Sequence, residues 1–126
     1  MVVSNHSVTV IIPSVRNHEE LDIVLKGLSN QTYSGPCEIV VVGPTNDPGK
    51  KICEKNNIQF IDDEGSRTRA DACNIAINAT ESEVILFTDD DVIVPKDWVE
   101  KLVSWFSREE VSGVGGPNFA PVDDST

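Results

Sequence analysis

Three stretches of this chain, VTVII at 8–12, CEIVVV at 37–42 and EVILF at 83–87, are almost uninterrupted apolar runs rich in β-branched residues. A strand with one wet face alternates polar and apolar side chains, so runs of this kind mark strands covered on both faces. IQFI at 58–61 is a fourth, shorter run. Helical patterns fill the intervals. Asn17 and Glu20 have the spacing of a capping box, and Leu21, Val24, Leu25 and Leu28 follow at helical intervals, which predicts a helix to about Asn30. A short helix is predicted from Lys50 to Asn56, and a third from Ser66 to about Ala79 with Ala70, Cys73 and Ile77 on one face. An amphipathic fourth, Asp97 to Ser107, carries Trp98, Leu102, Trp105 and Phe106, and the glycine-rich VSGVGGPNF is read as a fifth strand. Strand and helix alternate throughout. The class is therefore α/β, with a mostly parallel sheet, right-handed crossovers and helices on both faces.

Length bounds this to one domain spanning residues 1–126, large enough for a hydrophobic core. Ten basic against 21 acidic residues leave a net charge of −11, which excludes a nucleic-acid surface because phosphate neutralisation needs clustered Lys and Arg. Cys37, Cys53 and Cys73 are odd in number and form no CxxC pair, so a disulfide framework or zinc site is not expected and all three are read as small buried residues. No basic leader and no apolar run of membrane-spanning length occurs, and a cytoplasmic, soluble chain is expected.

In open parallel sheets ligands sit beyond the carboxyl ends of the strands, so the loops there are read together: PSVRN, GPTNDPG, DDEGSRTR and TDDDV. Asp89, Asp90 and Asp91 stand side by side after a buried strand. Adjacent carboxylates repel, more so when partly buried, and the cluster is costly unless a cation or hydrogen-bond donors compensate it. Hard oxygen donors suit Mg2+ or Mn2+, usually bridging a diphosphate. The plain alternative is three solvated aspartates capping the next helix. Arg67 and Arg69 begin the third main helix, whose amino end favours anions, and they either meet a pyrophosphate or pair with Asp62, Asp63 or Glu64 in their own loop. No GxGxxG follows the first strand and no GxxxxGK[ST] is present. Arg16, Asn17, His6 and His18 read as surface residues.

With these residues in view, the chain resembles the amino-terminal, nucleotide-binding half of family 2 glycosyltransferases, whose fold is the Rossmann-like GT-A type. VTVIIPSVRNHEELDIVLKGLSNQTY resembles that family's opening strand, loop and helix. GSRTRADACNIAINATESEVILFTDDD is similar to its Gly-then-Asn helix and the strand beyond, and FTDDDVIVPKDWVEKLV to its Asp-x-Asp segment. The resemblance implies a metal-dependent, inverting transfer of sugar from a nucleoside diphosphate, a UDP-sugar first, to an acceptor hydroxyl. It implies that Asp89 and Asp91 are the Asp-x-Asp pair, Asp91 on the metal and Asp89 on ribose or metal. Pro13 and Ser14 would line the nucleoside pocket, with Arg67 or Arg69 standing in for an arginine that the Ala72, Cys73, Asn74 triplet lacks.

Where the family commonly has an acidic turn after the second strand, this chain has Gly43 and Pro44, with Asp47 a few residues late, so only weak preference for uridine is expected. The family's acceptor-binding half, with the general base, lies beyond the matched region. The chain is accordingly expected to bind donor without supplying a base, and neither acceptor nor base is assigned. Two other readings use the same residues. A haloacid-dehalogenase-like phosphatase also carries Asp-x-Asp after a strand, but after its first strand rather than its fourth. A non-catalytic nucleotide-binding module is the other.

Overall fold

The computed structural model describes residues 6–14 and 18–105 of the chain. Four strands, β1 (Val8–Pro13), β2 (Cys37–Gly43), β3 (Gln59–Asp62) and β4 (Val84–Phe87), form one sheet in the order β3-β2-β1-β4. Every pairing is parallel, with Val8 opposite both Cys37 and Val84, and Val40 opposite Gln59. Four helices alternate with the strands: α1 (His18–Leu28), α2 (Gly49–Lys55), α3 (Arg69–Asn78) and α4 (Trp98–Ser104). The α/β class and parallel sheet expected from the apolar runs are thus present. The expected fifth strand, the amino end of the first helix with its Asn17 cap, and Phe106 lie outside the described residues.

β1 is buried on both faces because its alternate side chains enter two different cores. Val8, Val10 and Ile12 join Leu21, Val24, Leu25 and Leu28 of α1, Cys53 of α2 and Val99 and Val103 of α4. Ile11 points the other way, joining Val40, Val42, Ala72 and Ala76 against α3. Each such side chain removed from water stabilises the fold by about 1.5–3 kcal/mol before entropy is counted. The alanines at 72 and 76 let α3 approach the sheet closely.

The sequence phase was wrong for two helices. On α3 it is Ala72 and Ala76 that are buried, with Cys73 and Ile77 beside them, while Ala70 faces solvent. The helix also starts later than expected, at Arg69, because Thr68 is the cap: its hydroxyl accepts from the Asp71 N–H at 3.1 Å. On α4 the buried pair is Val99 and Val103, with Trp98 and Leu102 half-buried and Trp105 exposed. Of the expected stripe only Trp98 and Leu102 pack against the core, and the smaller β-branched Val99 and Val103 are the residues it buries. Of the cysteines, Cys53 is buried, Cys73 half-buried and Cys37 exposed, so the expectation of three buried thiols fails at Cys37.

Candidate functional site

The order β3-β2-β1-β4 reverses direction between β1 and β4, since the chain builds outward to β3 on one side and returns to the other side of β1. Neighbouring loops part at such a point and leave a crevice beyond the strand ends. A cleft of about 350 Å³ lies there. Pro13 and Ser14 from the end of β1, Val42 and Gly43 from the end of β2, Asp63 and the run Ser66 to Arg69 with Ala72 from the β3–α3 connection and α3, and Asp90 line it. A smaller hollow of about 270 Å³ adjoins it, sharing Pro13 and Arg69 and adding Cys73, Phe87, Thr88 and Asp89. Two larger hollows, of about 670 and 590 Å³, lie at the opposite edge, against the amino ends of the strands. Size does not decide between them. The amino edge lacks the convergent loops, and its buried hydroxyl, Thr9, is already satisfied by Thr80, Ser82 and Glu38.

The carboxyl edge is tied by backbone bonds: Ser14 N–H donates to the Val42 carbonyl at 2.9 Å and Asp63 N–H to the Gly43 carbonyl at 2.8 Å. Between them Gly43 has no room for a side chain, since a Cβ there would stand 2.5 Å from the Ser14 carbonyl oxygen and 3.3 Å from the Phe60 ring. Ser14 itself is 2 % exposed, and its Oγ is buried with no hydrogen-bond partner among the described residues. Leaving a buried hydroxyl unpaired costs about 1–3 kcal/mol.

The β3–α3 loop turns through two left-handed residues, Glu64 at φ 55° and Gly65 at φ 76°. Two consecutive aspartates make that turn possible. Asp62 Oδ1 accepts from Glu64 N–H at 2.8 Å and Asp63 Oδ1 from Gly65 N–H at 3.0 Å. The Thr45 hydroxyl also donates to Asp62 Oδ2, and these bonds hold the Asp62 carboxyl below its usual range, the Thr45 bond contributing most. Asp63 is buried, yet it lines the cleft. Asp47, the late acid of the β2 loop, is also buried, but its Oδ2 accepts from Gly49 N–H at 2.9 Å and it lines no part of the cleft.

The three consecutive aspartates separate. Asp90 is buried and faces the cleft, Asp91 is exposed, and Asp89 is half-buried beside the Arg69 guanidinium, which donates to its Oδ1. Neither arginine pairs with the acids of its own loop among the described residues. Arg69 takes Asp89, and Arg67 lines the cleft with no ion-pair partner there. Cys73 borders the smaller hollow, its thiol raised by burial, opposed by Arg69 and reinforced by Asp89. Cys53 is raised to about 11 by burial, with Asp47 and Glu54 adding to it. None of the three thiols is activated, since Cys37 is raised as well.

Among the described residues no three His, Cys, Asp or Glu side chains form a closed metal cage. Mg2+ and Mn2+ do not need one, because they take one or two carboxylates and complete their shell with water and substrate phosphate. Asp89 and Asp91 on a single turn fit an open site of that sort. Asp63 escaped the sequence reading, which weighed its loop for the arginines; the signal was its place directly after a strand end on the carboxyl edge. No helix among the described residues is long and apolar enough to cross a membrane.

Comparison with known proteins adds an independent line. The sequence profile of glycosyl transferase family 2 matches residues 9–126. An N-acetylglucosaminyltransferase of Azorhizobium caulinodans is 32% identical, the match covering 86% of this chain and 30% of the relative. Glycosyltransferase AglE of Haloferax volcanii is 27% identical over 86% of this chain and 38% of its own length. The chain thus spans about a third of the curated relatives it matches. A mannosyltransferase from Pyrobaculum calidifontis, solved with GDP-Man and Mn2+, superposes with a TM-score of 0.78 at 23% identity, covering 86% of this chain and 34% of that one. Glucosyl-3-phosphoglycerate synthase from Mycobacterium tuberculosis, solved with Mn2+ and UDP, reaches 0.68 at 17%, covering 80% and 39%. Those two likenesses establish the shared GT-A fold.

Proposed function

Because this chain belongs to glycosyl transferase family 2, we propose that it forms the donor-binding part of a metal-dependent, inverting glycosyltransferase that uses a nucleoside-diphosphate sugar. The observation that carries this is the cleft at the reversal of strand order, with Ser14 at one wall, Arg67 and Arg69 at another, and Asp89 and Asp90 at its rim, Asp91 following them exposed. The nucleoside lies along Pro13 and Ser14. Arg67, which has no carboxylate to neutralise among the described residues, meets the diphosphate, assisted by the amino end of α3. Asp91, the exposed acid, and Asp89 hold Mg2+ or Mn2+.

Arg69 has a double part in this reading. Without ligand its guanidinium balances Asp89. With donor bound it turns to the diphosphate and leaves Asp89 to the cation or the ribose, so that the charges in the site stay paired in both states. When bound, the metal supplies Lewis-acid neutralisation of the charge that gathers on the departing diphosphate. The acceptor hydroxyl must lose a proton to a base, a contribution of about a hundredfold to ten-thousandfold, and no carboxylate described in this chain is assigned that part. The relatives of solved structure bind GDP-Man or UDP with Mn2+, which supports a nucleotide-sugar donor here.

Calorimetric titration of nucleoside diphosphates with and without Mn2+ tests the reading. Metal-dependent binding that Asp91→Asn removes while circular dichroism stays unchanged supports it. Unaltered affinity in that variant rejects the assignment, and metal-dependent binding without sugar transfer by any assembled form of the protein favours a non-catalytic nucleotide-binding module.

A further inference from the structure

From the cleft itself we infer that Asp63 reads the nucleobase, and that the site accepts bases with a lactam edge, a ring N–H beside a carbonyl, and rejects bases with an amino edge. The inference rests on the nucleotide-binding role proposed above and goes further, to which nucleotides the site takes. The β2 end offers no side chain at Gly43, because a Cβ there would stand 2.5 Å from the Ser14 carbonyl oxygen. Asp47 is committed to the Gly49 N–H outside the cleft. Asp63 remains. It is 7 % exposed and lines the cleft, Oδ1 is fixed by the Gly65 N–H at 3.0 Å, and Oδ2 accepts no hydrogen bond among the described residues. A second observation points the same way: Ser14, on the opposite side of Gly43, carries a buried hydroxyl with no hydrogen-bond partner among the described residues.

A carboxylate oxygen is an acceptor only, and a hydroxyl can donate. Together they match a base that offers N–H to one and C=O to the other. Guanine and uracil both present that pair, at N1–H with O6 and at N3–H with O4 or O2. Adenine and cytosine present an unprotonated ring nitrogen at the same place, which would face the carboxylate lone pairs and leave buried polar groups unmatched, a mismatch that sites of this kind reject strongly. Asp63 therefore separates GDP and UDP from ADP and CDP, while hardly separating GDP from UDP.

Replacing Asp63 by Asn gives an unusually specific test. Gly65 N–H still requires an acceptor, so the amide oxygen stays on that side and the NH2 faces the cleft as a donor. The full chain is titrated with GDP, UDP, ADP and CDP, each with Mn2+, as wild type, Asp63→Asn and Ser14→Ala, with folding followed by circular dichroism. The expected result is that wild type binds GDP and UDP at least about tenfold more tightly than ADP and CDP. Asp63→Asn should remove that ratio or invert it toward CDP and ADP, and Ser14→Ala, which deletes no existing hydrogen bond, should fold normally and narrow the ratio. Four equal affinities in wild type, or an unchanged order in folded Asp63→Asn, overturns the inference and leaves the nucleotide-binding role standing. Absence of metal-dependent binding for all four overturns that role and the inference with it. If Asp63→Asn does not fold, an unchanged base order in Ser14→Ala counts against the inference and a narrowed one for it.

Discussion

Two buried hydroxyls five residues apart, one on β1 and one just beyond its end, end in opposite circumstances. Thr9, at the amino end, is fully buried and surrounded: its Oγ1 lies 2.7 Å from Thr80 Oγ1, 2.6 Å from Ser82 Oγ and 3.3 Å from Glu38 Oε1, to which it donates. Ser14, just past the carboxyl end, is as buried and has no partner among the described residues. The amino edge is thus closed by its own side chains, and β1, β2 and the turn before β4 meet there through satisfied polar groups. The carboxyl edge is tied by backbone bonds together with the Thr45–Asp62 and Arg69–Asp89 contacts, and these leave the Ser14 hydroxyl, Asp63 Oδ2 and the Arg67 guanidinium without a hydrogen bond or ion pair among the described residues. Size alone would point to the amino edge. The state of the polar groups separates structural closure from a site.

That contrast can be broken at several points. The largest effect is expected at the rim of the carboxyl edge: Asp91→Asn should lower Mn2+-dependent nucleoside-diphosphate affinity by about a hundredfold or more, since one of two carboxylates for the cation is lost, with no change in the urea midpoint. At the amino edge the sign reverses. Thr9→Val should destabilise the fold by about 1–3 kcal/mol in urea denaturation, because Glu38 loses its donor and two hydroxyls lose an acceptor, and nucleotide affinity should not change.

A smaller effect is expected from Arg69→Ala. Its pair with Asp89 is largely exposed, so stability should move by under about 1 kcal/mol. Diphosphate affinity should fall by about tenfold as a charge-assisted contact is lost, and binding of Mn2+ alone, followed by competition with a chelating dye, should tighten as Asp89 is released. Smallest is the response of the β3–α3 loop to acid. The Asp62 carboxyl is held below its usual range in the folded chain, so its tie contributes stability above the unfolded carboxyl range and loses it as pH falls through the folded value. The Glu64 amide, which donates to Asp62, should shift in NMR spectra only below about pH 4, with the core amides unmoved.

How far the site could be read before folding depended on what kind of information each residue carries. Asp89 and Asp91 announced themselves because three like charges after a buried strand are costly wherever they occur. Arg69 was visible as an arginine near a helix start, but its partner was not, since Asp89 is twenty positions away and meets it only when β4 and α3 are placed on β1. Asp63 and Asp62 look alike in sequence. One is buried in the cleft and the other exposed in a hydrogen-bonded turn, because β3 ends between them and the left-handed pair Glu64 and Gly65 swings the chain over the strand ends.

The α/β class and the parallel sheet were legible from the apolar runs alone, and the loop residues pointed to the carboxyl edge as the candidate site. Uninterrupted apolar strands demand cover on both faces, and alternation with helices leaves parallel pairing as the way to supply it. Only the tertiary structure decided which side chains that edge leaves unsatisfied. Hydrophobic patterning is a local, periodic signal, whereas the partner of a polar group is set by long-range packing: a hydroxyl is saturated at Thr9 on β1, where three chain segments converge, and left without a partner among the described residues at Ser14 just beyond it, where the strand order reverses and the loops part.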